Sequence, residues 1–184
     1  MHKRCSWVKL ENPLYVAYHD EEWGHPQHDD QKLFELLCLE TYQAGLSWET
    51  VLKKRAAFQQ AFHDYDPQVV AQMSDQELED LLANPAIIRH RGKIFATRRN
   101  AQAFLDIQER YGSFDAYLWS FVQGQPELHD VPDYRLAPSK TILSEQLSKD
   151  LKKQGFRFTG PVAMLSYLQA AGLVNDHEND CEWK

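Results

Sequence analysis

The stretch Leu151-Lys152-Lys153-Gln154-Gly155-Phe156-Arg157-Phe158-Thr159-Gly160-Pro161 decides how this chain is read. A helix from Ser144 to Gln154 stops at Gly155, and Pro161 opens the next one, because proline suits the first turn of a helix. The hairpin between them carries two glycines and two phenylalanines. Glycine lets the backbone turn tightly and come close to a phosphate. The N–H groups and positive dipole end at the start of the second helix suit an anion. These are the parts of a helix-hairpin-helix clamp on a DNA backbone, with Lys149, Lys152 and Lys153 just upstream. The same residues also fit an ordinary corner between two helices that packs Phe156 and Phe158 into a core.

Outward from this hairpin the chain reads as helices with almost no strand pattern. Asp29-Asp30 opens a helix from Gln31 to Tyr42, and Ser47 caps one from Trp48 to Phe62. Asp66-Pro67 starts another, and Ser74-x-x-Glu77 is a capping box for a run through Leu82. A long helix follows Gly92 to about Arg110, and Ser113 caps one reaching Val122. Gln123 to Pro138 holds three prolines and no clear period, which predicts loop. Gly172 stops the helix begun at Pro161. The expected fold class is all-α, one domain over residues 1–184.

The two ends of the chain carry a possible metal set. Cys5 and His19 stand near the N-terminus, and His177 and Cys181 near the C-terminus at i and i+4, which puts both on one face of a helical turn. Two thiolates and two imidazoles make a closed tetrahedral Zn²⁺ shell with no open position for substrate. Such an ion would clasp the termini together, whereas spacing alone also allows four unconnected side chains.

At 184 residues and net charge −7, with three cysteines and no long apolar run, the chain reads as a cytoplasmic, reduced protein without a membrane span. Cys38 reads as a buried thiol. The charge argues mildly against a polyanionic partner, but Ala86 to Ala103 holds Arg89, Arg91, Lys93, Arg98 and Arg99 and no acid. That stretch is either a phosphate-binding face or a solvated helix face. Aromatic residues crowd the first quarter: Trp7, Tyr15, Tyr18, Trp23, Tyr42 and Trp48, with Glu40 among them. Large rings usually mean core. Stacked rings with one carboxylate are also what an extrahelical nucleobase needs.

The motifs resemble those of the bacterial 3-methyladenine-DNA glycosylase I family of base-excision repair. The likeness runs through Arg4-Cys5-x-Trp7, Pro13-Leu14-Tyr15-x-x-Tyr18-His19-Asp20-x-Glu22-Trp23-Gly24, Leu39-Glu40, Gln43-Ala44-Gly45-Leu46-Ser47-Trp48 and Ile88-Arg89-His90-x-x-Lys93-Ile94. It continues through Trp119-Ser120-Phe121, Leu151-Lys152-Lys153-x-Gly155-Phe156 and Gly172-Leu173-Val174-Asn175-Asp176-His177, which is essentially the whole chain. The resemblance implies a helix-hairpin-helix glycosylase fold with a zinc clasp joining the N- and C-terminal segments. It implies one structural zinc on Cys5, His19, His177 and Cys181, and Glu40 as the residue that contacts the excised base. Trp7, Tyr15, Tyr18, Trp23 and Trp48 would line the pocket. Lys152, Lys153, Gly155 and Gly160 would meet duplex DNA containing alkylated bases, with Leu46 as a wedge. The implied protein is a monomer that releases free 3-methyladenine by monofunctional hydrolysis after base flipping. A non-catalytic zinc-stapled DNA-binding module and a zinc hydrolase are the alternatives. Thr41 stands where the family commonly has glycine, and the role of Asp176 is open, including support of a zinc ligand.

Overall fold

Helix starts are set by the caps that the sequence supplies. The structure, a computed structural model, describes residues 2–43 and 45–184, so Ala44 of the Gln43–Trp48 motif lies outside the described residues. Asp29 opens helix α2 (Asp30–Tyr42) by accepting from Lys32 N, and Ser47 opens α3 (Trp48–Ala61) by accepting from Thr50 N. Asp66 caps α4 (Pro67–Ala71), and the Ser74–Glu77 capping box opens α5 (Asp75–Leu81). Ser113 caps α7 (Phe114–Ser120). Each cap satisfies an N–H that has no partner within its helix, typically worth about 1 kcal/mol.

Several elements differ from expectation. Helix α1 (Pro13–Glu21), capped by Asn12, is short and carries no apolar stripe; its buried residues are Tyr18 and His19. The long helix α6 (Arg91–Tyr111) starts two residues before Lys93 because the His90 ring accepts from Lys93 N. Helix α8 (Ile142–Lys153) starts at a Thr141–Ser144 capping box, so Ser144 lies inside it. Within Gln123–Pro138 the strand β1 (Glu127–Leu128) pairs in parallel with β2 (Val174–Asn175), and Tyr134–Leu136 forms a 3₁₀ turn.

The largest core gathers around α2, whose residues from Leu33 to Tyr42 are all buried, and takes in faces of α6, α7, α8 and α9 (Pro161–Ala170). A second, smaller cluster joins Cys5, Val8, Tyr18, Trp23, Leu52 and Cys181, with Trp48 packed against both. The termini meet there. Glu182 N donates to Lys3 O at 3.0 Å, and the Glu178 carboxylate accepts from Ser6 N at 2.7 Å and Tyr134 N at 2.8 Å. Gly172, at φ +75°, passes so close to the His25 backbone that a Cβ would collide with it.

The α8–α9 hairpin is pinned from below. Asn100 on α6 accepts from Arg157 N at 2.8 Å and donates to Arg157 O at 3.2 Å, and Ser148 Oγ donates to Thr159 O at 2.6 Å. Phe156 is buried, a burial worth about 1.5–3 kcal/mol, while Phe158 is 42% exposed. One aromatic therefore anchors the hairpin as a helix corner would, and the other is presented outward. Among the described residues, no helix is long and apolar enough to cross a membrane.

Candidate functional site: an aromatic cavity beside a two-cysteine, two-histidine cluster

Helices α1, α2, α3 and α9 and the N-terminal segment meet at a cavity of about 190 Å³. Its walls are Trp7, Tyr15, Tyr18, Trp23, Glu40, Gln43, Trp48, Tyr134, Ser166 and Gln169. This is below the roughly 300 Å³ of pockets that take drug-sized ligands, so it suits one small planar group. The rings meet at angles: Trp7 and Trp23 have centroids 4.9 Å apart at 70°, and Tyr18 and Trp48 lie 5.2 Å apart at 48°. Edge-to-face contacts brace such walls and leave ring faces open to a ligand.

Five of the six aromatic residues singled out from the sequence thus come together with Glu40, while Tyr42 lies in the main core, stacked on Phe58 with ring centroids 4.3 Å apart. Gln43, Tyr134, Ser166 and Gln169 were missed. Tyr134 sits in the loop that has no periodic pattern. Ser166 and Gln169 are polar residues three apart on the otherwise apolar helix α9, a signal that the sequence does carry. Leu46 is 39% exposed beside a second, largely apolar groove that shares Glu40, Gln43 and Ser166 with the cavity. Gly160 and Pro161, at the start of α9, line the same groove. Lys152 and Lys153 are exposed in the last turn of α8.

Glu40 closes the cavity from the last turn of α2, 4% exposed, and burial raises its pKa to about 8. The Thr41 hydroxyl bonds back to Cys38 O at 2.6 Å, and α2 continues unbroken to Tyr42. Among the described residues, the buried side-chain polar atoms without a hydrogen-bond partner are Trp7 Nε1, Glu40 Oε2, Trp48 Nε1, Thr159 Oγ1 and His177 Nε2. The first three belong to residues of the cavity wall, and Thr159 lies on the hairpin. Such atoms cost about 1–3 kcal/mol each when nothing satisfies them, so their collection here marks a place prepared for a polar, planar partner.

Behind the cavity, Cys5, His19, His177 and Cys181 are all buried, with one possible ligand atom from each within 4.8 Å of the others. His19 turns Nδ1 to Asp20 at 2.8 Å, and His177 turns Nδ1 to Asn175 at 2.8 Å. That leaves both Nε2 atoms for the cluster, the arrangement that orients metal-binding imidazoles. The otherwise unpartnered His177 Nε2 and the two thiols fit a metal ion. Burial lowers His177 to about 4 and raises Cys5 to about 12. Burial lowers His19 as well, so both imidazoles are kept in the ligating neutral form, and the Cys5 thiolate needs a cation beside it. The pair His177 and Cys181 does not ride on a helical turn. The segment after β2 is irregular, with a tight turn closed by Cys181 N to Glu178 O at 2.9 Å. Its polar groups are drawn toward the N-terminal segment and Asn175, so i,i+4 spacing does not bring a helix with it. Asp176 supports neither histidine; it accepts from His129 Nδ1 at 2.6 Å and Gln169 Nε2 at 2.7 Å.

Fold and site together define a helical protein with a nucleobase-sized aromatic pocket and a helix-hairpin-helix at its mouth. The model of the methyladenine glycosylase family matches residues 7–184. The chain belongs to that family. It is 48% identical to the DNA-3-methyladenine glycosylase of Haemophilus influenzae, over all of this chain and 99% of that one. It is 49% identical to DNA-3-methyladenine glycosylase 1 of Escherichia coli K12, over 97% of this chain and 95% of that one. A crystal structure of a tyrosine-to-phenylalanine variant of 3-methyladenine DNA glycosylase I, in complex with 3-methyladenine, superposes with a TM-score of 0.95 at 43% identity. That match covers 98% of this chain and 97% of the other.

The Glu40 environment sets a pH dependence. In the fold its pKa is about 8, against 4.5 for an ordinary glutamate. Between these values the native chain holds a proton that the unfolded chain has released, so stability falls as pH rises through the window. Glu40→Gln lacks this linkage. Its melting temperature relative to wild type should climb between pH 5 and pH 8, at up to about 1.4 kcal/mol per pH unit. Parallel stability curves for the two proteins would mean that Glu40 is already ionised in the fold.

Proposed function

We propose that the protein is a DNA glycosylase that hydrolyses the N-glycosidic bond of 3-methyladenine in alkylated duplex DNA, flipping the base into the aromatic cavity. The observation that carries this reading is Glu40, a buried carboxyl with an unpartnered oxygen inside a ring-walled cavity. Relatives of the same length carry the activity in their names, and one was crystallised with 3-methyladenine.

Methylation at N3 gives adenine a positive charge, so the base is already a good leaving group. The enzyme has to hold the flipped base and let water reach C1′ of the sugar. The C1′–N bond breaks with its electron pair going to the base, which leaves as neutral 3-methyladenine. Water adds to C1′, one proton is set free, and an abasic site remains. Glu40 rests as the neutral acid and ionises as the cationic base enters, because an opposite charge at contact favours the carboxylate. Trp7, Trp23, Trp48, Tyr15 and Tyr18 stack against or border the base. Among the described residues that line the cavity there is no lysine to form a Schiff base, which supports monofunctional hydrolysis rather than strand cleavage.

The duplex would lie over the groove between Leu46 and the start of α9. Gly155, at φ +100° with the Arg99 guanidinium where a Cβ would be, is a glycine that the fold requires. Gly160 has φ −64° and nothing within 4 Å of its added Cβ, so the fold itself does not ask for glycine there. A close approach by a DNA backbone does. Lys152 and Lys153 add attraction at the end of α8, and Leu46 fills the gap in the base stack. We further infer that the two-cysteine, two-histidine cluster holds one structural zinc ion. Cys5, His19, His177 and Cys181 would supply all four ligands of such an ion, so it would tie the termini together and take no part in the hydrolysis.

Incubation with methylated duplex DNA and identification of the released base tests the activity directly. Glu40→Gln should cut 3-methyladenine release by on the order of 10²-fold, with a melting temperature at or above wild type, and Glu40→Ala should cut it further. A folded Glu40→Ala protein that excises the base at the wild-type rate would refute the assignment.

Gly160→Val should fold normally and bind every duplex more weakly, whatever its sequence, since phosphate contacts carry no base code. Unchanged affinity would reduce the hairpin to a helix corner.

Metal analysis should find one zinc per chain. Cys5→Ser or Cys181→Ser should lose it and melt roughly 10 °C lower, the equivalent of a few kcal/mol. Zinc held through Cys38 instead would overturn the ligand set.

A further inference from the structure

A chain of hydrogen bonds runs from the cavity wall into the body of the protein. Tyr134 and Gln169 both line the cavity. The Tyr134 hydroxyl donates to Gln169 Oε1 at 3.3 Å, and Gln169 Nε2 donates to Asp176 Oδ2 at 2.7 Å. Asp176 takes its other bond from His129 Nδ1 at 2.6 Å, and Gln169 and Asp176 are 3% and 5% exposed. The order of donors in this chain is forced. A carboxylate only accepts, so the Gln169 amide must turn its NH₂ to Asp176 and its carbonyl to Tyr134. The Tyr134 proton is then committed to that carbonyl, and its remaining lone pairs are acceptors.

We infer that Asp176 is a positioning residue for substrate selection. By fixing the Gln169 amide it commits the Tyr134 proton to the Gln169 carbonyl and leaves the Tyr134 oxygen an acceptor in the cavity wall, which favours a 3-methylpurine with an amine at C6 over one with an oxygen there. An amine at C6 finds the Tyr134 oxygen as an acceptor, while an oxo group at the same place faces its lone pairs. A buried polar mismatch of this kind is among the strongest sources of discrimination that a binding site has. The inference rests on the proposed 3-methyladenine activity and names what would make that pocket selective. It gives Asp176, which touches neither imidazole of the metal cluster, a role directed at the cavity.

The test is binding of free 3-methyladenine and of 3-methylguanine, read from the fluorescence of the pocket tryptophans, with metal content and melting temperature measured on each variant. Wild type should prefer 3-methyladenine. Asn at position 176 can donate to Gln169 Oε1 and let the amide turn over, so Asp176→Asn should lower the affinity ratio by roughly tenfold. Gln169→Met should lower it as well, and Asp176→Asn added to Gln169→Met should change it no further, because Asp176 acts through that amide. An unchanged ratio in folded, metal-loaded Asp176→Asn, or a further fall in the double variant, overturns the relay and leaves the glycosylase reading standing. Wild-type protein that binds neither base overturns both. Should Asp176→Asn fail to fold, the wild-type complex with 3-methyladenine answers by nuclear Overhauser contacts. The Gln169 amide protons should show none to the base, and contact between them would refute the assignment.

Discussion

The junction of the two chain ends is the constraint on which the rest of the structure depends. Cys5 and His19 come from the first nineteen residues and His177 and Cys181 from the last eight, and all four are buried in one cluster. The cavity walls are built on this cluster. Trp7 packs edge-on against the His19 ring at 5.3 Å, and Trp23 against the His177 ring at 4.7 Å. Gly24, just after Trp23, leaves no room for a side chain against His177. The indoles therefore take their orientation from the imidazoles, and each imidazole takes its own from an acceptor on Nδ1. Anything that loosens the cluster displaces two walls of the cavity before it disturbs the helical core around α2. Bringing these ends together closes a loop of nearly the whole chain, an entropic cost that grows only slowly with loop length.

The cavity is held at an energetic cost that the core has to offset. Orphaned indole N–H groups and a buried carboxyl are each destabilising by about 1–3 kcal/mol, in a fold whose net stability is expected to be only about 5–15 kcal/mol. The protein meets part of that cost by keeping Glu40 protonated. A carboxylate there with no partner would be far more expensive than the neutral acid. The same burial makes the group responsive, because a cation entering the cavity replaces the missing solvation and releases the proton. Under the proposed function, stability and selectivity are thus opposed at one residue. The apolar packing of α2 from Leu33 to Leu39 supplies the margin that permits it.

How far the sequence could be read depended on whether a feature is local. Caps at Asp29, Ser47, Asp66, Ser74 and Ser113 depend on residues within one turn, and they lie where the pattern placed them. The grouping of Trp7, Tyr15, Tyr18, Trp23 and Trp48 around Glu40 was legible because aromatic density, and Glu40 as the one acid between Cys38 and Trp48, stand out in the sequence and in the family motifs. Features that exist only through distant contacts were not legible. Helix α1 has no apolar stripe, because its buried residues face a cavity and a side-chain cluster instead of a packed core. The β1–β2 pair spans only two residues on each side and is specified by the return of the C-terminal segment. The i,i+4 spacing of His177 and Cys181 suggested a helix, but His177 N bonds to the Asn175 side chain and Cys181 N closes a turn on Glu178 O, while Glu178 N and Glu182 N reach Cys5 Sγ and Lys3 O at the opposite end of the chain. Tyr134, Ser166 and Gln169 enter the cavity from a loop and from a helix more than a hundred residues away from Trp7.

The basic stretch from Ala86 to Ala103 shows how charge counted along a sequence misleads about a surface. Arg91 pairs with Glu79, Arg98 with Asp75 and with Met73 O, and Lys93, only 6% exposed, donates to Tyr42 O at the end of α2. Arg99 lies against Gly155 under the hairpin. Most of these cations are therefore engaged in holding α6 to its neighbours, and the overall charge of −7 adds no attraction for a polyanion. Under the proposed function, affinity for DNA has to come from close backbone contacts at the hairpin, supported by the lysines at the end of α8. Contacts of that kind are short-ranged and blind to sequence. The protein would gain little from long-range steering, and undamaged duplex would be held weakly. Discrimination then falls to the step in which a base leaves the stack, where the cavity, its acceptors and Glu40 decide what stays.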